Sequence, residues 1–306
     1  MAGLDVVLLT ADAYLDTETQ NPLARNVVLE DGLVAEALKN EGLNLDIKSW
    51  SDPLFDWNST DYVLIRTPWD YFERFEDFML WFQTTSKQTK FINSAALIHW
   101  NIDKNYLKEL QERGIRLPNT YFIPSASNSS LEEAMALAEQ QFGHKCNTWV
   151  LKPCIAAGAF NTYKFSTEQA KGYQERYKKL IQKQDFMLQE FQQSVVRKGE
   201  ISLMLFNGEY SHAVLKKAKP GDFRVQDDYG GTVELYEASN KEIAFAQEVV
   251  QVCKEMPLYA RVDILEDNRG KLALAELEIF EPELWFRFKP NSAKALAHSI
   301  KETFFT

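Results

Sequence analysis

The sequence predicts a mixed α/β and α+β chain in three parts. These are an N-terminal Rossmann-like half-domain over residues 1–96, a small central α+β unit over 97–185, and a C-terminal antiparallel sheet over 186–306. Three observations carry this reading. Short apolar runs alternate with amphipathic stretches at the start, and a Gly/Ala-rich loop separates two short strand patterns in the middle. Near the end, YARVDILED and LALAELEIF alternate polar and apolar residues on either side of the turn-like Asn268-Arg269-Gly270.

Val6 to Thr10, Asn44 to Trp50 and Tyr62 to Arg66 read as parallel strands, with a crossover helix from Val28 to Asn40 that stops at Glu41-Gly42. Phe91-Ile92 adds a short strand. Ile102, Tyr106 and Leu110, spaced i, i+4, i+8, predict a helix from Asn101 to Arg113, which Gly114 ends before the extended Ile115 to Pro118. Residues 131–142 form an amphipathic helix, Trp149 to Lys152 and Tyr163 to Phe165 two strands, and 167–183 a charged surface helix. Phe186 to Phe191 opens the last part. It continues with strands at 201–206 and 210–216, a helix over 240–255, a hairpin over 258–280 and a helix after Pro290.

The 306 residues carry 34 Lys and Arg against 44 Asp and Glu, a formal net charge of −10. Nucleic-acid binders gain affinity by releasing counterions from a basic surface, and no Lys/Arg stripe here offsets the global repulsion. A small anionic ligand needs only a local cluster of cations and stays open. Hydrophobic residues at 45% and charged residues at 25% are globular proportions. No apolar run approaches the ~20 residues of a membrane span, and Val6 to Leu9 lacks a basic segment before it. A cytoplasmic location and no membrane partner are expected. Cys146, Cys154 and Cys253 show no CxxC spacing or neighbouring His motif, which fits reduced thiols better than disulfides or zinc. Nothing bears on oligomeric state, and a homodimer stays open.

Strand side chains alternate faces, so Arg261 and Asp263 share one face, as do Glu276 and Glu278. If the hairpin register sets Asp263 beside Glu276, three carboxylates and one guanidinium converge, an oxygen-only donor set suited to Mg²⁺ or Mn²⁺. A solvated outer face would carry the same pattern, but gathered like charges cost stability unless something positive lies between them. In WVLKPCIAAGAF, Lys152 precedes Ala156-Ala157-Gly158-Ala159, where small residues let backbone N–H groups approach phosphate. The run matches neither GxxxxGK[ST] nor GxGxxG, and an ordinary hairpin loop reads the same way. AVLKKAKPGDFRVQDDYGG holds Lys216, Lys217, Lys219 and Arg224 among glycines, either a loop that closes over polyphosphate or a plain surface loop.

RTPWDYF closes the third strand, and α/β sheets present ligands at strand C-termini. Arg66 is therefore expected to hold a substrate carboxylate, with Trp69, Asp70 and Tyr71 shaping the pocket and Asn93 and Ser94 in the same cleft. A structural aromatic cluster bonded to Asp70 is the alternative. No Ser-His-Asp or Cys-His motif is present, and Cys154 and His212 read as packed residues.

In order along the chain stand Lys104, Lys152 before its small-residue loop, Gln189-Glu190-Phe191, Gly199-Glu200, GDFRVQDDYGG, RVD and ELE. The series resembles the ATP-grasp superfamily, within it the glutathione synthetase and ribosomal-protein-modifying ligase branch. Through RTPWDYF, WNIDKNYLKEL, GEISLMLFNGEYSHAVLK and ELEIFEP it is also similar to the ATP-grasp ligases of D-cycloserine biosynthesis. The match covers roughly residues 60–290.

The resemblance implies an ATP-grasp fold with ATP and Mg²⁺ (or Mn²⁺) as cofactors. Lys104 and Lys152 would contact the phosphates under a cover of Ala157, Gly158 and Ala159. Gln189, Glu190 and the backbone of Phe191 would read the adenine, and Glu200 the ribose. Lys216 would be a further nucleotide contact, and Arg224 and Arg261 would stabilise the transferring phosphate or a tetrahedral intermediate. Asp263, Glu276 and Glu278 fall on the metal-ligand positions, Glu278 standing where Asn is commoner, which leaves the number of ions open. The implied reaction activates a small carboxylate as an acyl-phosphate, releasing ADP, before an amine or similar nucleophile attacks within or between molecules. A small-molecule kinase and a non-catalytic nucleotide-binding module are the alternatives.

Overall fold

The computed structural model describes residues 3–225 and 229–306. The first sheet is parallel, in order β2-β1-β3-β4, from β1 (Leu4–Thr10), β2 (Leu45–Ser49), β3 (Thr60–Thr67) and β4 (Lys90–Ile92). Val6 to Leu9 are fully buried because both faces of a parallel sheet are covered. Helix α1 (Pro22–Asn40) begins before the expected Val28, since Pro22 occupies its first turn and Asn21 caps it by accepting from the Leu23 and Ala24 N–H groups. Helix α2 (Phe75–Thr85), which sequence reasoning missed, buries Phe78 and Phe82.

The expected helix from Asn101 to Arg113 is two helices, α3 (Ala95–Ile102) and α4 (Tyr106–Glu112). Asp103 adopts an extended backbone, and its carboxylate accepts from the Asn105 N–H at 2.9 Å, a local alternative to the helical bond. Lys104 therefore lies on a turn, with its N–H bonded to the Cys154 carbonyl at 2.9 Å.

The second sheet, antiparallel in order β5-β8-β6-β7, contains β5 (Thr120–Ile123), β6 (Thr148–Pro153), β7 (Tyr163–Ser166) and β8 (Phe186–Glu190). Helices α5 (Leu131–Phe142) and α6 (Ala170–Leu180) cover it, around a core of Trp149, Phe165, Tyr177 and Phe186. The expected boundary at 185/186 is thus displaced, because β8 pairs with β5 and β6 and belongs to the middle sheet.

After the short α7 (Gln193–Arg197) comes the third sheet, antiparallel in order β11-β10-β9-β12-β13. It holds β9 (Glu200–Phe206), β10 (Glu209–Lys217), β11 (Thr232–Tyr236), β12 (Tyr259–Glu266) and β13 (Leu272–Glu278). Helix α8 (Asn240–Gln251) packs on it together with α4. The Tyr106 hydroxyl both donates to the Leu277 carbonyl and accepts from the Leu277 N–H, each at 2.8 Å.

Helix α9 (Ser292–Phe304) packs back onto α1, so one core joins Val6, Val34 and Leu38 to Met204, Phe206 and Ile300. Among the described residues no helix is long and apolar enough to cross a membrane.

Candidate active site

The β12–β13 register pairs Asp263 with Glu276 and Arg261 with Glu278, with a bulge just after Asp263. Asp263, only 3% exposed, receives Arg261 through Nε–Oδ1 and Nη2–Oδ2 contacts of 2.9 Å each, and Lys216 Nζ at 2.9 Å. Lys216 also meets Glu200 at 2.7 Å, Arg261 also meets Glu278, and Lys104 meets Glu276 at 2.9 Å. Lys104 further donates to the Ala156 carbonyl at 2.6 Å, which ties the small-residue loop to the hairpin.

Burial pushes the Asp263 carboxyl up, but Arg261 and Lys216 outweigh it and hold the group well below the usual carboxylate range. Burial is not offset at Glu278 or Glu281. Glu278 is raised well above its ordinary value, with the Glu276, Glu281 and Asp263 carboxylates adding, and Glu281 is pushed up to about 7. The hairpin end thus gathers more carboxylate than its cations neutralise. An all-oxygen donor set with excess negative charge fits a hard divalent cation, so Asp263, Glu276 and Glu278 could hold one. The three do not converge as tightly as the sequence suggested. Their oxygens do not all lie within 4.8 Å of one another: Lys104 draws Glu276, Lys216 draws Asp263, and Arg261 stands between Asp263 and Glu278.

Lys152 projects from β6 opposite this hairpin. Burial lowers its pKa, and its ammonium makes no ion pair or hydrogen bond to any described residue. The following loop turns through positive φ at Gly158 (56°), Ala159 (58°) and Asn161 (53°). It is touched from both sides: the Tyr229 hydroxyl donates to the Gly158 carbonyl at 3.1 Å, and Phe160 packs on Phe72 at 5.3 Å.

At the end of β8, Gln189 Nε2 donates to Thr120 Oγ1 at 2.7 Å, and Glu190 accepts from Asn119 Nδ2 at 2.8 Å. Of the Phe191 backbone expected at the adenine, the N–H bonds to the Thr148 carbonyl and the carbonyl accepts from Asn268 Nδ2, each at 3.0 Å; the ring lies under Lys164 at 3.8 Å. Glu200 follows Gly199, whose φ is 95° and where a Cβ would stand 2.5 Å from the Lys216 carbonyl oxygen; only glycine lets β9 and β10 approach there.

Lys104, Lys152, Ala157 to Ala159, Gln189 to Phe191, Glu200, Lys216, Arg224, Arg261, Asp263, Glu276, Glu278 and Trp69 line one cleft of about 490 Å³. Arg224 lines it with its charge engaged, paired to Asp222 at 2.8 and 3.1 Å and lying over the Tyr229 ring at 3.8 Å. Gln226, Asp227 and Asp228 of the expected closing loop lie outside the described residues.

The acceptor expectations fare differently. Arg66 is 1% exposed, pairs with Asp31 at 3.3 Å and lies outside the cleft, so it is not the expected carboxylate anchor. α1 packs over the end of β3 and supplies the buried counterion. Asp70 accepts from Trp50 Nε1 at 2.7 Å and pairs with Arg74, the structural alternative. Tyr71 is buried, with burial and then the nearby Glu281 carboxylate pushing its hydroxyl well above the ordinary value, while Trp69 bonds to the Glu281 carbonyl at 3.0 Å. Asn93 is also structural, bridging the backbones of Leu258, Tyr259 and Ile279, and Ser94 caps α3.

Sequence reasoning missed Glu281 and Phe72, although they stand inside the quoted ELEIFEP and RTPWDYF, and the cleft walls Tyr14 and Trp285, which carry no motif. It also overlooked that His144 stands two residues before Cys146, and that both meet Glu190.

Residues 121–283 match the family model described as prokaryotic glutathione synthetase, ATP-grasp domain, and residues 6–93 match the N-terminal domain of D-cycloserine synthetase DcsG. Over 280 residues the chain is 26% identical to the cycloserine biosynthesis protein DcsG of Streptomyces lavendulae, spanning 87% of this chain and 91% of that protein. A 77-residue stretch, 25% of each protein, is 40% identical to a probable alpha-L-glutamate ligase of Aeromonas salmonicida. The crystal structure of D-cycloserine synthetase DcsG superposes with a TM-score of 0.85 at 23% identity, covering 97% of this chain and 98% of that one. The ATP-grasp ligase PsnB, solved with a precursor variant, Mg and ADP, superposes with a TM-score of 0.64 at 15% identity over 98% and 99% of the two chains.

Proposed function

We propose, from the premise that this chain belongs to the prokaryotic glutathione synthetase ATP-grasp family and is an ATP-grasp ligase, that it activates a small carboxylate as an acyl-phosphate for attack by an amine or similar nucleophile. The observation that carries the reading is the meeting of Lys104 and Lys152 with the Asp263, Glu276 and Glu278 carboxylates across one cleft. A nucleotide-binding module needs no such convergence of cations and metal-type carboxylates.

In this reading Lys152, unpaired among the described residues, offers its ammonium to the nucleotide phosphates, and Lys104 holds the small-residue loop while facing the same charge. Asp263, Glu276 and Glu278 would hold Mg²⁺ or Mn²⁺, which neutralises charge on the phosphates during transfer. Arg261, fixed by Asp263 and Glu278, holds a permanent positive charge where oxyanions form. Glu200 recognises the ribose, Gln189 to Phe191 border the adenine, and Trp69 walls the acceptor end. The loop at Ala157 to Ala159, touched by Tyr229 and through Phe160 by Phe72, excludes water from an intermediate that water would destroy. Three free cysteines accord with a cytoplasmic setting.

The test is a screen of amino acids and small dicarboxylates in pairs for acceptor-dependent ADP release, with products identified by mass spectrometry. A condensed product with ADP and phosphate is expected. A stable phosphorylated product would mean a kinase, and AMP release would overturn the mechanism.

A further inference from the structure

Gly143 ends α5 with φ 77°, and the turn that follows carries His144 and Cys146 against Glu190 on β8. One nitrogen, one sulfur and one carboxylate oxygen from these residues all lie within 4.8 Å of one another, and among the described residues no other trio of His, Cys, Asp or Glu does so. The His144 ring is oriented: Nδ1 stands 3.3 Å from the Phe142 carbonyl, which can only accept, so the proton belongs on Nδ1. Nε2 then turns its lone pair toward Glu190 Oε2 at 3.3 Å. Two acceptors face each other, and either a proton or a metal ion between them satisfies both. The same Glu190 oxygen is steadied by Asn119 Nδ2 at 2.8 Å. Cys146 is 4% exposed, and its N–H is held by Glu139 at 3.1 Å.

We propose that His144, Cys146 and Glu190 form a binding site for a thiophilic divalent cation of the zinc type, with solvent as the fourth ligand. Nitrogen, sulfur and oxygen donors together select zinc over the hard cations suited to the β12–β13 hairpin. The His144 side chain, 36% exposed, leaves a path for the ion and an open coordination position. Ligand atoms of a tetrahedral zinc site stand roughly 3.5 Å apart, so closure needs movements of about 1 Å, within reach of small side-chain rotations. On binding, the Cys146 S–H bond breaks, its proton passes to solvent and a sulfur–metal bond forms, while His144 and Glu190 supply lone pairs. The ion would clamp the α5–β6 turn to Glu190 at the end of β8, within the segment bordering the adenine. The site goes beyond the ligase reading and does not depend on it.

The experiment titrates the metal-free full chain with Co²⁺ in the absence of nucleotide, follows sulfur-to-cobalt charge transfer and the visible bands of four-coordinate cobalt, and then displaces the ion with Zn²⁺. One saturable site is expected, with about one proton released per ion. Cys146→Ala should abolish the charge-transfer band. His144→Ala should keep it while weakening Zn²⁺ binding by more than the ~10–100-fold that changes to outer-shell partners cost. Cys253→Ala should alter neither. Absence of the band in the unaltered chain overturns the proposal, as does its survival in Cys146→Ala. Should Cys146→Ala fail to fold by circular dichroism, unchanged Zn²⁺ affinity in His144→Ala overturns it as well.

Discussion

Asp263 and Glu276 are directly paired across the β12–β13 ladder, yet each is neutralised by its own cation: Lys216 and Arg261 serve Asp263, and Lys104 serves Glu276. Two carboxylates side by side on neighbouring strands repel each other. Three cations converge from β10, β12 and the α3–α4 turn to offset that repulsion, so the site's charge balance comes from distant parts of the chain.

Glu276→Gln keeps the shape of the side chain and removes its charge. Turnover should fall about 100- to 1000-fold, the scale of losing one electrostatic stabiliser of a transition state. The fold should persist with a small loss of stability, because Lys104 and Lys152 attract this carboxylate more than burial and Asp263 oppose it, while the side chain is 28% exposed. Acceptor-dependent ADP release and thermal unfolding measure the two effects, and near-normal activity would remove Glu276 from the metal site.

Lys152 is a half-buried ammonium with no partner among the described residues, which costs folding free energy. Lys152→Met should raise the nucleotide Kd at least about tenfold, or about 1.4 kcal/mol, while leaving the unfolding free energy equal or higher. Calorimetric titration and urea unfolding test both signs. A loss of stability without loss of affinity would contradict the assignment.

Gly199→Ala places a methyl group 2.5 Å from the Lys216 carbonyl at a φ of 95°. The variant should lose more than about 2 kcal/mol in urea unfolding. It should also weaken nucleotide binding, because Glu200 and Lys216 shift with the strands. Retention of full stability would show that the β9–β10 approach is looser than described.

Arg66→Ala strips the counterion from Asp31, which is itself 3% exposed, and should cost roughly 3–5 kcal/mol. The acceptor KM of the milder Arg66→Lys should stay near that of the unaltered chain. A large KM rise in a stable Arg66→Lys protein would restore the direct role the sequence suggested.

Burial lowers the His212 pKa from 6.5 to about 4, with its ring held between Ser211 and the Leu284 carbonyl at 3.0 Å each. Between those values the unfolded chain binds more protons, so His212 withdraws stability as pH falls from 6.5 to 4, by about 3 kcal/mol in all. Burial raises Asp31 from 3.8 to about 6, so the folded chain binds more protons in that window, and Asp31 withdraws stability as pH rises from 3.8 to 6. The two nearly cancel. Subtracting the urea-unfolding pH profile of His212→Gln from that of the unaltered chain should expose the His212 share, and a flat difference would refute it.

Some of the site was legible because its logic is local. The i, i+2 alternation put Arg261 with Asp263 and Glu276 with Glu278 on shared faces, and the small-residue run after Lys152 announced a loop a ligand can approach. Arg66 misled because a strand's C-terminal residue reads the same from sequence whether it faces a cleft or a helix. Asp31 is 35 positions away, and only packing brings α1 across it. Lys104 misled in a milder way, since the apolar spacing of Ile102, Tyr106 and Leu110 continues across a turn that Asp103 creates.

The residues alone were enough for the parallel strands at the start, the antiparallel hairpin near the end and its acidic face, because periodicity depends on neighbours a few positions apart, whereas the nucleotide reading rested on the ordered motifs that resemble the ATP-grasp superfamily. Only the folded chain decided which charges are spent on one another and which remain for a ligand. Lys216 is consumed by Glu200 and Asp263, Arg66 by Asp31 and Arg224 by Asp222, while Lys152 stays unpaired among the described residues. Coulomb energies depend on distance and burial, and neither follows from position in the sequence.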